Sequence, residues 1–377
     1  MNRLRNLAEI VRREDVSSKA EDDVVICAAV RTPVTRGRKG GFKDTAPEVL
    51  LAAALKEVAC RAKLRPEDVQ DIAVGNNLQP GAGEITARMA MFLAGYPDTT
   101  SVLAVNRLCS SGLEACSIIA AKIKSGVIDI GVGSGTESMS LYDMNSSINV
   151  DALSEAIFDH EKARVCLTNM GETSENVAQK YGITRQQQDA MAVESHRKAS
   201  EAQKKGLFDS EIVSVKTKLK DAKGEEKEVV ISKDDGIKTG TTLEILGKLK
   251  PAFRKDGTTT AGNSSQVSDG AAAVVLARRS VATKMGLPIL AKFTAYVVKG
   301  CDPLLMGIGP AIAIPALLEK TGKKISDIDI WEINEAFASQ ATYCVEKLGI
   351  DYKKLNPKGG AIALGHPLGC TGTQLCI

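Results

Sequence analysis

Residues 100–126 read TSVLAVNRLCSSGLEACSIIAAKIKSG, and residues 359–372 read GGAIALGHPLGCTG. Each is an apolar, strand-like run that passes through a turn of small residues into a helix start. In the first, Ser110, Ser111 and Gly112 open a helix whose apolar positions 113, 116, 119, 120 and 123 follow helical spacing. The same rhythm surrounds both. DVVICAAVRTP, APEVLLAAALKEVACRAK and DIAVGNN precede the first, while LPILAKFTAYVV, GPAIAIPALLEKTG and DIDIWEINEAFA precede the second. Alternating strand and helix patterns predict an α/β chain of layered halves. If the halves are repeats, the turns carrying Cys109 and His366 leave equivalent ends of related sheets and face each other across the junction.

Composition leaves room for this and closes other options. The chain has 377 residues, 44% apolar, 25% charged and 12 proline, an ordinary globular balance of two or three domains. A net charge of +3 and 4% aromatic residues give neither a phosphate-tracking surface nor a stacking platform, so no nucleic-acid partner is expected. AIAIPALL, starting at 311, is far shorter than the about 20 apolar residues of a membrane span and contains Pro315. Nine cysteines occur without a C-x-x-C pair, which predicts free thiols in a reducing compartment. Residues 1–22 are charged and weakly patterned, a tail ahead of the first strand. Roughly 143–260 is an insertion over the core, and within it residues 197–257 hold fifteen Lys or Arg against eleven Asp or Glu, which reads first as a solvated face, although the basic excess suits an acidic carrier such as coenzyme A.

Three residues carry the chemistry. Cys109 at a helix start has unpaired amides and a favourable dipole nearby, which predicts a stabilised thiolate beside oxyanion donors. Cys116 on the same helix is expected to be core. His366 stands in a Gly/Pro turn at another helix start, which keeps an imidazole neutral and able to accept a proton. His160 and His196, in FDHEKAR and VESHRKAS, are expected to be exposed helix residues. Asn334 and Glu335 emerge from the strand pattern DIDIWEI, where a carboxamide binds a water or an enolate oxygen, or caps a helix. Cys370 near His366 has no third and fourth ligand at fitting spacing, so no metal is expected. Nucleophile, base and oxyanion donors together make an acyl-transfer site.

These residues lie in NRLCSSGLEA, MGETSENVA, TTTAGNSSQVSDGAAA, MGIGP, INEAFASQA and GGAIALGHPLGCTG. On those motifs the chain resembles thiolases over 24–373, most closely the peroxisomal type of 3-ketoacyl-CoA thiolase. The resemblance implies a five-layered αβαβα fold of two similar halves plus a loop domain, assembled as a homodimer. It places an N-terminal half at 23–142, completed by about 268–288, a loop domain at 143–267 and a C-terminal half at 289–377. It implies that Cys109 is acylated, His366 is the base and Asn334 holds an oxyanion-hole water. Ser265 matches a CoA-contacting serine, and Met170 and Met306 match pocket-lining methionines. CoA and acyl-CoA are then substrates, with no separate cofactor, in fatty-acid β-oxidation. The rivals are an acetoacetyl-CoA thiolase working in condensation, a non-catalytic CoA or lipid binder, and a partner in mixed dimers.

The family type implies a peroxisome rather than the cytoplasm or a mitochondrion. Arg3-Leu4, five residues, then Ile10-Val11 approaches the amino-terminal peroxisomal signal, with Ile10 where His or Gln belongs. The thiolase turn Cys-x-Gly-x-Gly, which supplies a second catalytic cysteine, does not occur. Only 11 residues follow His366, whereas the repeat has 31 from Cys109 to Ser140, so the C-terminal half is expected to be incomplete, with depressed turnover and an uncovered sheet edge.

Overall fold

The computed structural model describes residues 18–144, 148–221 and 223–377, so the tail signal around Arg3 and Ile10 lies outside the described residues. In chain order the first part comprises β1 (Val24–Arg31), β2 (Thr35–Arg36), α1 (Pro47–Arg61), β3 (Asp71–Gly75), α2 (Glu84–Leu93), β4 (Ser101–Val105), α3 (Ser111–Lys124) and β5 (Ile130–Ser138). An inserted stretch holds α4 (Met170–Tyr181), α5 (Arg185–Lys204) and the hairpin β6 (Val215–Lys220) and β7 (Glu226–Ile231). Then come β8 (Ser268–Arg278), β9 (Ala291–Lys292), α6 (Gly309–Thr321), α7 (Ala338–Leu348), α8 (Ala361–Leu364) and α9 (Leu368–Gln374).

One seven-stranded sheet runs in the order β4-β3-β5-β8-β1-β9, with β2 also on β8. β3 pairs in parallel with both β4 and β5, and β8 pairs antiparallel with β5 and β1. Both faces are covered, so β5 is buried along its whole length and β8 at all but its last residue. Alternation along β8 sends Ala271, Ala273, Val275 and Ala277 into the core beneath α1, and Val274 and Leu276 into the core shared with Ile119 and Ile123 of α3. β5 reads IGVGSGTES because α3 rests on its backbone: a Cβ at Gly133 would lie 2.5 Å from Cys116 Cα.

The inserted stretch is anchored by a buried cation. Arg31, at the end of β1, is fully buried and donates to Asp234 through two nitrogens (2.7 and 2.9 Å) and to Glu211 (2.8 Å). The third core gathers α5, α6, α7 and Trp331.

Several expectations need correction here. LPILAKFTAYVV pairs with β1 only at Ala291–Lys292, and DIDIWEI makes a single bridge, Trp331 to Leu355, so these apolar runs are extended without a ladder. Residues 361–364, read as strand, form the helical turn α8, bracketed by Gly360 and Gly365. A run of four apolar residues fits either state. Pro315 does not end its helix. Pro303–Thr321 is helical for 19 residues with mean hydropathy 1.3, long and apolar enough by length and composition to cross a membrane, although Leu305 (φ −124°) interrupts its start. His196 is buried, not exposed: it shares the inner face of α5 with Ala192, Ser195, Ala199 and Ala202, and its Nδ1 accepts from Lys238 N (3.2 Å). His160 is exposed as expected, capping Ala163 N through Nδ1.

Candidate active site

The two turns meet because two helices touch backbone to backbone. A Cβ at Gly112 of α3 would lie 2.6 Å from Thr373 N and 2.7 Å from Gly369 O, and one at Gly372 of α9 would lie 2.4 Å from Leu113 N. Glycine at each position is therefore what lets α9 approach α3. α3 carries the Cys109 turn at its start and α9 carries the His366 turn at its own. Cys109 packs against Leu78, Met139 and Leu368, the last of these two residues beyond His366.

The Cys109 turn is tight. Leu108 has φ +50°, a left-handed conformation that costs a non-glycine residue about 1–3 kcal/mol and collects at functional sites. Ser111 holds it: its hydroxyl donates to Leu108 O (2.6 Å) and accepts from Arg107 N (2.9 Å), while Asn106 Oδ1 accepts from Leu108 N (2.9 Å). The expected thiolate stabilisation is not what the surroundings give. Burial, together with the negative charge of Glu137, pushes the Cys109 thiol up to about 11, outweighing the helix start. Cys109 is a thiol that needs a base.

The imidazole of His366 stands just ahead of α9, bonded on both nitrogens' sides. Thr371 Oγ1 lies 2.7 Å from His366 Nδ1 and 3.0 Å from Pro367 O, and with its proton on Pro367 O it accepts from an Nδ1–H. In that tautomer the Nε2 lone pair faces Asn334 Nδ2 at 3.3 Å. The ring is buried, and burial lowers its pKa to about 4, so it is neutral near pH 7. The direction matches the sequence reading, but burial, not the helix start, is the cause. The backbone of His366 is fixed by Gln266 O and Ser268 Oγ, each 3.2 Å from its amide.

Asn334 is held from behind. Glu335 is buried and accepts from Ser195 Oγ (2.6 Å), Asn356 Nδ2 (2.8 Å) and Ile362 N (3.3 Å), tying the Asn334 loop to α5 and to the segment leading to His366. Asn334 Oδ1 is buried and has no hydrogen-bond partner among the described residues. Ser265 lies beside this loop, its N–H donating to Ala336 O (2.9 Å) and its side chain partly exposed. Met170 begins α4, and Met306 sits in the 3-10 turn Pro303–Ile308, whose Leu304 O accepts from Asn176 Nδ2 of α4 (3.1 Å). Both methionines are partly exposed.

Sequence reasoning missed Thr371, which fixes the imidazole tautomer, and Glu137, a buried carboxylate. A hydroxyl five residues after His366 and an acid in the small-residue run GVGSGTESMS were the available signals. No group of three or more His, Cys, Asp or Glu that could hold a metal occurs among the described residues.

The chain is similar to known proteins in sequence and in fold. The thiolase N-terminal domain matches residues 24–280 and the thiolase C-terminal domain matches 287–377. The chain is 57% identical to the peroxisomal 3-ketoacyl-CoA thiolase B of Rattus norvegicus over 355 residues, 94% of this chain and 83% of that protein. It superposes on the dimeric peroxisomal thiolase of Saccharomyces cerevisiae with a TM-score of 0.89 at 46% identity, covering 96% of this chain and 91% of that one. A second structure of peroxisomal 3-ketoacyl-CoA thiolase from that yeast, described as five layers built from two core domains of identical topology, gives a TM-score of 0.78 at 41% identity over 96% and 90% of the two chains. With both domains matched over 24–280 and 287–377, and a fold shared with solved relatives, the chain belongs to the thiolase family.

Proposed function

We propose that this chain is an acyltransferase of peroxisomal fatty-acid β-oxidation, cleaving a 3-ketoacyl-CoA with a second CoA to acetyl-CoA and a shortened acyl-CoA. His366 Nε2 takes the Cys109 proton as Sγ attacks the 3-keto carbon. The C2–C3 bond breaks, its electron pair leaves as the acetyl-CoA enolate, and the proton held by His366 is the one available to that enolate. In the second half, CoA gives its thiol proton to His366, its sulfur attacks the thioester, and the Cys109 thiolate leaves. Asn334 polarises the carbonyl oxygen through a held water, Ser265 contacts CoA, and Met170 and Met306 line the acyl pocket. CoA serves as substrate and no cofactor takes part. The working assembly is a homodimer, as in the yeast relative. The organisation that suits this is two thiolase halves, 23–142 with 268–288 and 289–377, flanking a loop domain at 143–267.

One observation carries the reading: a buried imidazole, its Nδ1 against Thr371 and its Nε2 against Asn334, leads into a helix pressed against the helix that follows a partly buried thiol. Thiolysis of 3-ketoacyl-CoA by the chain and by Cys109→Ser and His366→Asn tests it. Turnover that survives either substitution within tenfold contradicts the assignment.

A further inference from the structure

Glu137 is completely buried near the end of β5, and its carboxylate accepts four hydrogen bonds, all from amides. Oε1 takes Asn76 Nδ2 (3.1 Å) and Leu78 N (3.2 Å), and Oε2 takes Asn77 N (2.9 Å) and Gly369 N (3.0 Å). Three of these donors belong to the turn after β3. The fourth belongs to α9, three residues past His366 and on the other side of the junction. One carboxylate thus staples the helix of the base to the part of the molecule that carries the nucleophile.

The residues it grips also surround the sulfur. Leu78 donates to Glu137 and packs against Cys109, Leu368 precedes the gripped Gly369 and packs there too, and Met139 lies two residues beyond Glu137 in the same cluster. The arrangement has an electrostatic cost. An ionised carboxylate here opposes ionisation of Cys109, and burial raises the Glu137 carboxyl itself to about 7. A group that hinders the thiolate yet takes four amides is explained by what it positions. Asn76 is itself committed, donating to Thr136 O (2.7 Å) and accepting from Gln79 N (2.9 Å), so the turn is rigid where the carboxylate holds it.

We propose that Glu137 is a positioning residue for acyl transfer, setting the distance between the Cys109 sulfur and the His366 imidazole by bridging turn 76–78 to Gly369. The proposal rests on the Cys109–His366 reading above. Glu137→Gln keeps the volume but turns one of the two acceptor oxygens into a donor facing two amide N–H groups, so two of the four hydrogen bonds are lost and the grip on the turn, or on the turn and Gly369 together, loosens.

The test measures iodoacetamide alkylation of Cys109, followed on its own peptide by mass spectrometry, in the parent, Glu137→Gln, His366→Asn and the double variant, alongside thiolysis kinetics. Both single variants are expected to slow alkylation at least tenfold, with the double variant within twofold of His366→Asn. In thiolysis, kcat of Glu137→Gln is expected to fall 10- to 100-fold, with KM for CoA within threefold. Glu137→Asp, which keeps both oxygens one methylene short, is expected to recover part of the loss, and it takes the place of Glu137→Gln if that variant does not fold. Parent-like alkylation in Glu137→Gln and Glu137→Asp beside a slowed His366→Asn overturns the role of Glu137 alone. A multiplicative loss in the double variant also overturns it, because Glu137 then acts independently of the base. Parent-like alkylation in His366→Asn overturns the underlying Cys109–His366 reading.

Discussion

Gly112→Ala is the smallest change that moves the two turns apart. The added Cβ would lie 2.6 Å from Thr373 N and 2.7 Å from both Gly369 O and Thr373 Oγ1, whereas ordinary contact begins at 3.4 Å. Two of the three obstacles are backbone atoms, so α9 must retreat by about 0.8 Å and carry His366 with it, and a misplacement of about 1 Å costs on the order of 100-fold in rate. Stability changes less. Overpacking costs about 1–3 kcal/mol and alanine regains about 1 kcal/mol of helix propensity, so the variant folds. In an assay following loss of 3-ketoacyl-CoA with CoA, kcat of Gly112→Ala is predicted to fall about 100-fold while KM for CoA changes less than threefold. Gly247→Ala, at a helix end where a Cβ meets nothing within 4 Å, is the control and keeps parental kcat. A Gly112→Ala enzyme with kcat within threefold of the parent would refute the claim that helix contact sets the site geometry.

Further outcomes follow from burial and charge. In His366→Asn, alkylation of Cys109 should climb about tenfold per pH unit from 7 to 10, because burial holds the thiol near 11; a plateau below pH 8 would restore the helix-stabilised thiolate. Arg31→Met leaves Asp234 buried without its cation, while Glu211 keeps Lys358, so denaturant unfolding should show a loss of about 3–5 kcal/mol, and a loss under 1 kcal/mol would show the anchor to be dispensable. His196 has a folded pKa lowered by burial to about 4, so its contribution is fully present above its unfolded value and is lost as pH falls toward 4. His196→Asn, whose Oδ1 can take over the bond from Lys238 N, should therefore flatten the acid limb of stability by up to about 3 kcal/mol between about pH 6.5 and 4, measured by urea unfolding at each pH.

The first half was legible because pattern and packing coincide there. DVVICAAVR and DIAVG are apolar runs buried on both faces, and the helical spacing through Cys116, Ile119, Ala120 and Ile123 is the face α3 turns to the sheet. Residues 289–300 and 328–334 carry the same apolar signal, yet a ladder needs a hydrogen-bonded neighbour that composition does not name. His196 was misread because its neighbours Glu194, Arg197 and Lys198 are charged, while the small residues three and four positions away that bury it form a weaker signal. At the site, residue types pointed to Cys109 and His366, but not to their ionisation. The thiol level depends on desolvation and on Glu137, which stands 28 positions from Cys109 and reaches it only through the fold. The tautomer of His366 likewise depends on the proton of Thr371, a matter of bond counting in three dimensions.

Acyl transfer through one sulfur is the central claim, and covalent capture tests it most directly. The protein is mixed with acyl-CoA in the absence of free CoA, quenched in acid, digested and mapped by mass spectrometry across all nine cysteines. The account predicts one acyl group, on Cys109, removed on adding CoA and missing in His366→Asn at matched times. Acyl groups on exposed Cys60 or Cys166 instead, or an unlabelled Cys109, would contradict it.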